Sequence, residues 1–213
     1  MILPKPVYCF IDDSPFEIQL FRDVIEPRCN AIIVYSDTFD SCQEHLKRVD
    51  IQPSLFVLDL YGRQGAKSAR TIPSFTDLQS QVNAIPDLEQ VFNGLDKLKD
   101  NPDLQINEYL KRLFGIFNEW RNMFGDQCVS LDQGSKYGIG NLKRVRESYP
   151  STAAVMYTRK GLFTDAIELF KHNCDGVFIK PNGQGDDGIY AATISQANGL
   201  IKDWDECIRK RES

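Results

Sequence analysis

Short apolar runs and helical stripes alternate along much of the chain. Pro6–Ile11 carries no charge and predicts a strand. Phe16–Ile25 has apolar residues at 16, 18, 20, 21, 24 and 25, the spacing of one helix face. Ala31–Tyr35 predicts a second strand and Phe39–Val49 a second helix. Leu55–Leu58 predicts a third strand, which ends on Asp59. The alternation pauses there and resumes near Gly138. Leu142–Tyr149 reads as a helix, Ala153–Tyr157 as a strand ending on Thr158, and Phe163–Phe170 as a helix. Val177–Ile179 reads as a strand ending on Lys180-Pro181, and Ile189–Ile208 as a long last helix. The strands are almost continuously apolar rather than alternating, as strands covered by helices on both faces are. This predicts an α/β fold, with a five-stranded parallel sheet that right-handed crossovers make doubly wound.

The pause spans about 75 residues between Gly62 and Tyr137, too long for a structureless loop in a compact domain. Asp87–Lys99 carries apolar residues at 88, 91, 92, 95 and 98, and Leu104–Phe124 carries them around more than half of a helix. Asp100-Asn-Pro-Asp103 between them is a turn. A helical hairpin is expected, with a further helix over 74–84. Arg63–Thr71 and Cys128–Tyr137 read as flexible connectors. The domain division expected is 1–61 with 138–213 as the α/β domain and 62–137 as a helical insertion.

Composition removes several classes of function. With 25 Lys plus Arg against 30 Asp plus Glu, the net charge is −5, which gives no global attraction to nucleic acid or an anionic membrane. No apolar run approaches the roughly 18 residues needed to span a bilayer. The first residues, Met-Ile-Leu-Pro-Lys-Pro, lack the layout of a signal peptide. Cysteines at 9, 29, 42, 128, 174 and 207 form no Cys-x-x-Cys pair, and the histidines, His45 and His172, have no ligand-like neighbours. Reduced structural thiols in a cytoplasmic protein fit this pattern better than a zinc site.

The polar residues that end the apolar runs are the candidate chemistry. In a doubly wound sheet, ligands bind outside the carboxyl ends of the strands. Those ends carry Asp12 and Asp13, Asp59, Thr158 and Lys180. Taken alone, Asp12 and Asp13 admit a solvated helix-capping turn as readily as a cation site. Taken together, the five suit aspartyl-phosphate chemistry. Carboxylates that face one another need a cation, and hard oxygen ligands suit Mg2+. A carboxylate beside it can form an acyl phosphate, with Lys180 and Thr158 placed to contact the phosphoryl oxygens.

At these motifs the chain resembles the receiver domain of two-component response regulators. The matching residues are Phe-Ile-Asp12-Asp13, Leu-Phe-Val-Leu-Asp59, Ala-Val-Met-Tyr-Thr158 and Val-Phe-Ile-Lys180-Pro181. Gly138-Ile139 with the following Leu-Lys-Arg-Val-Arg146 resembles the start of that family's third helix. The likeness covers residues 1–60 and about 138–213. It implies a flavodoxin-like sheet of order 2-1-3-4-5, with the helical segment as an insertion. It implies Asp59 as phosphoacceptor, and Asp13, Asp12, Asp59 and the backbone carbonyl of Tyr61 as Mg2+ ligands. It further implies Thr158 and Lys180 as phosphoryl contacts and a cis Lys180–Pro181 bond. The expected phosphoryl donor is a histidine kinase or phosphotransfer protein. The last helix uses up 189–213, so output is expected through protein contacts, with no nucleic acid or membrane partner.

Three departures from the family stand out. Arg159 occupies a position that is usually small, where it could obstruct the phosphodonor or contact phosphate itself. Val177 stands where an aromatic switch residue is usual, and Phe178 belongs to the other face of a regular strand. Leu-Tyr-Gly-Arg follows Asp59, so Tyr61 and Lys160 are expected to flank the phosphoryl position and screen it from water. In the insertion, Phe114, Phe117, Trp120 and Phe124 form a candidate docking or dimerisation surface, against the plainer expectation that they pack internally.

Two other classes of function compete. A haloacid-dehalogenase-type phosphatase also combines a strand-end Asp, a Thr, a Lys, an acidic pair (here Asp186-Asp187) and an inserted cap. It needs a carboxylate two residues after the nucleophile, where Tyr61 stands, and it leaves Asp12-Asp13 unexplained. A pseudo-receiver, a binding module that never accepts phosphate, is favoured by Arg159 and Val177 and opposed by the intact set of five.

Overall fold

The computed structural model describes residues 5–63, 75–130, 133–134, 136–159 and 163–212. The chain divides into two compact units, Met1–Gln64 with Gly134–Ser213, and Gly65–Gln133.

The first unit is built on five parallel strands: β1 (Val7–Ile11), β2 (Ile32–Ser36), β3 (Leu55–Leu58), β6 (Ala153–Thr158) and β7 (Gly176–Ile179). Their order is β2-β1-β3-β6-β7. The two short strands β4 (Gly62–Arg63) and β5 (Gln133–Gly134) form a ladder of their own. Without them, the sheet has the 2-1-3-4-5 order that the resemblance implies. Every residue of β1, β3 and β6 is buried, whereas the outer strands β2 and β7 are partly exposed. Continuous apolar character therefore marks the strands with helices on both faces.

Side-chain alternation divides the core in two. Tyr8 and Phe10 of β1 join Tyr157 of β6 on one face. There Trp204 of α8 (Gly185–Glu212) is fully buried and stacks on Phe21, with ring centroids 5.8 Å apart. Phe178 meets the same Trp204 edge-on. On the other face Phe56 lies between Phe39 of α2 (Phe39–Val49) and Tyr149. The six cysteines are all free, and four of them are buried.

Local signals set the helix starts. Ser14 caps α1 (Pro15–Leu20), with Pro at its first position, and Thr38 caps α2 by accepting from Ser41 N. The stripe over Phe16–Ile25 is not one α-helix throughout, because a π turn over Phe21–Ile25 follows α1 and buries Phe21, Val24 and Ile25. α6 (Lys136–Ser148) begins earlier than the apolar pattern implies, and α7 (Phe163–Lys171) precedes β7. The Lys180–Pro181 peptide is trans, not the cis bond that the resemblance implies; trans is the favoured isomer of an X–Pro bond by about 0.5–1 kcal/mol.

The second unit is helical: α3 (Phe75–Ala84), α4 (Leu88–Phe92), a 3-10 turn over Leu95–Leu98, and α5 (Pro102–Ser130). The helix expected over Asp87–Lys99 is broken. Gly94 adopts φ +70°, a left-handed conformation that side chains other than Gly rarely take. Arg112 of α5 donates to the freed carbonyls of Asn93 and Val91 at 2.5 and 3.4 Å, and Gln105 to that of Leu95 at 2.8 Å. α5 runs on to Ser130 with Cys128 buried, and the described residues of the connector expected at Cys128–Tyr137 are regular structure. The connector expected at Arg63–Thr71 lies, after Arg63, outside the described residues. Among the described residues no helix is long and apolar enough to cross a membrane.

Candidate functional site

The ladder continues past the strand ends and fixes the height of the polar residues. Asp59 N donates to Ile11 O at 2.9 Å, and Asp12 N to Ser36 O at 3.1 Å. Ile11 pairs with Leu58 and Leu58 with Met156, so Asp12, Asp59 and Tyr157 stand one step above them. Thr158 is a further step up, and Lys180 follows Ile179, the partner of Thr158. The long Lys180 side chain reaches back down, with Nζ 5.7 Å from the centre of the Tyr157 ring.

Lys180 joins the carboxylates. Its Nζ lies 2.5 Å from Asp12 Oδ2, 3.1 Å from Asp59 Oδ1 and 3.6 Å from Glu17 Oε2. Asp12, Asp59 and Lys180 are 1%, 6% and 3% exposed. The Thr158 hydroxyl donates to the Asp59 carboxylate. Asp12 Oδ1 accepts from Ser14 N at 2.9 Å. Asp13 is half-buried and accepts from Arg63 N at 3.2 Å. Asp12, Asp13 and Asp59 each offer a carboxylate oxygen, and these lie within 4.8 Å of one another. The five strand-end residues singled out in the sequence thus meet at one place.

Burial and charge oppose each other here. Burial pushes the Asp12 carboxyl up to about 7, against the pull of Lys180 and with a further rise from Asp59. Burial likewise raises Asp59, against Lys180 and Thr158. For Lys180 burial works against the ammonium, but Asp12, Asp59 and Glu17 outweigh it, and its pKa is raised. The site therefore holds a charged lysine against two carboxyls, Asp12 and Asp59, whose affinity for protons burial has raised.

Other residues occupy places the sequence did not indicate. Glu17, on α1, is a fourth carboxylate and is 8% exposed. Arg159 neither stands free nor projects into solvent: its Nε donates to Glu17 Oε1 at 2.7 Å. Tyr61 is buried, and its hydroxyl donates to Asp165 Oδ2 of α7 at 2.8 Å, so its ring is anchored to that helix. Val177 is half-buried, and Phe178 does take the opposite face, against Trp204. Lys160 lies outside the described residues. Glu17 carried a misleading signal, since Ser14-x-x-Glu17 is the pattern of a helix capping box. The Ser14 half of that box exists, with Ser14 Oγ accepting from Glu17 N at 3.4 Å, while the Glu17 carboxylate turns to Lys180 and Arg159.

No protein-family model matches the sequence, and no curated protein does. Solved structures do. A CheY-like response regulator receiver domain protein from Methanospirillum hungatei JF-1 superposes with a TM-score of 0.50 at 9% identity, over 98% of each chain. The signal receiver domain of an HD domain-containing protein from Pseudomonas fluorescens Pf-5 superposes with a TM-score of 0.52 at 8% identity, over 99% of this chain and 92% of that one. The chain has the fold of a response-regulator receiver domain. In the receiver fold, the strand order and the parallel sheet place Asp12, Asp59, Thr158 and Lys180 on the carboxyl edge, where such sheets hold their ligands. Identities this low establish the fold alone.

Within the insertion, Phe114, Phe117 and Trp120 are 59%, 58% and 43% exposed, whereas Phe124 is only half-buried and belongs less to that surface.

Proposed function

We propose that this chain is a receiver-type signalling protein that accepts a phosphoryl group on Asp59. The observation that carries the reading is the convergence of Lys180 on Asp12 and Asp59, with the Thr158 hydroxyl on the same Asp59. The acidic cluster fits Mg2+: three carboxylate oxygens lie close enough for one small dication, and each carboxylate keeps an oxygen for other partners. Asp12, Asp13 and Asp59 are the proposed side-chain ligands and the Tyr61 carbonyl the proposed backbone ligand. When bound, Mg2+ supplies positive charge for the carboxylates and the incoming phosphoryl oxygens.

The side chains supply the rest. An Asp59 oxygen attacks the phosphorus of the donor, the bond from phosphorus to the leaving group breaks, and an acyl phosphate forms on Asp59. Lys180 moves its ammonium from carboxylate to phosphoryl oxygens, and Thr158 redirects its hydroxyl hydrogen bond to one of them. The proposed donor is a histidine kinase or phosphotransfer protein, and the output is a protein contact. Phe114, Phe117 and Trp120 are the candidate output surface, for a downstream protein or a second copy of the chain. On this reading the chain performs its own phosphorylation and dephosphorylation and turns over no other substrate. A cytoplasmic location is proposed with it.

The test is the intact mass after incubation with acetyl phosphate and Mg2+. Wild type gains one phosphoryl group, and Asp59→Asn gains none. A second reading, a pseudo-receiver that keeps the fold and binds partners unphosphorylated, is supported by the 6% exposure of Asp59 behind Lys180. Wild type that gains no mass favours it.

Metal binding is expected to depend on pH in a defined direction. Burial holds the Asp12 carboxyl above its ordinary value, at about 7, so between about pH 4 and 7 the native state binds more protons than the unfolded state. The metal-free protein therefore loses stability at this group as pH rises through that window. A cation that replaces those protons stabilises more at the top of it. Melting temperatures in excess EDTA and in excess Mg2+ should differ more at about pH 8 than at about pH 5. Equal increments at both would contradict the ligand role of Asp12.

A further inference from the structure

Arg159 follows Thr158 directly, where a long side chain would be expected to block the approach to Asp59. Its observed contacts have a different sense. Nε is bonded to Glu17 Oε1 at 2.7 Å, and Nη1 donates to the Pro181 carbonyl and to Asn182 Oδ1, the latter at 3.3 Å. Pro181 and Asn182 are the two residues after Lys180. Arg159 thus grips the backbone that carries Lys180 and also a carboxylate that competes for the Lys180 ammonium. Glu17 and Lys180 are 3.6 Å apart, an ion-pair distance, whereas Lys180 is hydrogen-bonded to Asp12 at 2.5 Å and Asp59 at 3.1 Å.

We infer that Arg159 is a positioning residue for Lys180: it neutralises Glu17 and braces Pro181, and so keeps the ammonium on Asp12 and Asp59. The physical reason is the cost of a buried charge without a partner. Glu17 is shielded from water, with a side chain 9% exposed, and shares two cations. Without Arg159, the Lys180 ammonium is the cation left in contact with Glu17 among the described residues. The ammonium is then drawn toward Glu17 and away from the phosphoacceptor. The pair Glu17–Arg159 is neutral overall, so its presence leaves the charge for phosphoryl transfer to Lys180. A blocking arginine and a positioning arginine predict rate changes of opposite sign.

This inference rests on the Asp59 phosphoacceptor reading for its kinetic test, and a four-member cycle separates the two. Phosphorylation by acetyl phosphate at saturating Mg2+ is followed by intact mass for wild type, Glu17→Gln, Arg159→Ala and the double variant. Arg159→Ala should slow phosphorylation about tenfold to a hundredfold, the usual cost of a displaced catalytic group. The double variant should return to within about threefold of wild type, because the unpaired carboxylate is gone. Arg159→Lys, which keeps the charge, should recover part of the loss, and Arg159→Gln replaces Arg159→Ala if the latter does not fold. A faster Arg159→Ala, or a double variant as slow as the single one, overturns the inference. Wild type that takes no phosphoryl group sinks the Asp59 reading instead. The same four proteins then test the inference by calorimetric Mg2+ titration. Arg159→Ala should bind Mg2+ more tightly, as Lys180 vacates the acidic cluster, and the double variant should revert. Unchanged affinity in Arg159→Ala overturns it.

Discussion

Replacing Lys180 with Met is expected to destabilise the metal-free protein by about 3–5 kcal/mol near neutral pH. Met preserves the length and apolar stem of the side chain and removes the ammonium. Asp12, Asp59 and Glu17 then share a buried region with the cation that contacts all three deleted. The sign of the pH dependence follows from the carboxyls. Asp12 is already pushed up to about 7 by burial while Lys180 pulls it down, so the variant raises it further. At about pH 5 the Asp12 carboxyl is neutral and needs no partner, and the loss shrinks; at about pH 8 it is ionised and the loss is largest. Urea unfolding of both proteins at the two pH values measures this directly. A loss that is the same at both would mean that Lys180 contributes packing rather than charge.

Gly138→Ala is expected to cost about 1–3 kcal/mol and to slow phosphorylation as well. A Cβ at Gly138 would stand 2.5 Å from the Asp59 carbonyl oxygen and 2.5 Å from Leu60 Cα. Both are backbone atoms, with no rotamer by which to withdraw. Gly138 N also donates to Leu60 O at 3.0 Å, so α6 is pinned at the point where it would have to move. The displacement would fall on the peptide of Asp59. Gly140 lies in the same helix with open space around its Cβ position. Gly140→Ala should therefore be neutral or stabilising, by up to about 1 kcal/mol from helix propensity. Urea midpoints and acetyl phosphate kinetics on the two variants separate close approach from propensity. Equal effects of the two substitutions would remove the special role of Gly138.

The five strand-end residues were legible because of how a two-sided sheet is encoded. A strand buried on both faces stays apolar until it leaves the sheet, so the first polar residue marks the edge where ligands bind. Asp12, Asp59, Thr158 and Lys180 all announce themselves in this way. Glu17 could not, because it sits in a helix start that accounts for it locally, and its partners are far along the chain at Arg159 and Lys180. The Tyr61–Asp165 bond is hidden for the same reason. In the insertion, the apolar stripe over Asp87–Lys99 was real, but periodicity does not register a break that a side chain from another helix stabilises. Arg112 takes the Val91 and Asn93 carbonyls once Gly94 has turned the chain. The role of Arg159 was open between obstruction and phosphate contact, since the sequence gives its position beside Thr158 and not the carboxylate it meets.

The most direct test of the Asp59 assignment is chemical trapping at the residue itself. Wild-type protein is incubated with acetyl phosphate and Mg2+, reduced with borohydride and digested for peptide mass mapping. An acyl phosphate is reduced to the alcohol, so the account predicts homoserine at position 59 and an unchanged aspartate at 12 and 13. Homoserine at another aspartate, or a phosphoryl group that survives reduction at a serine or threonine, would contradict it.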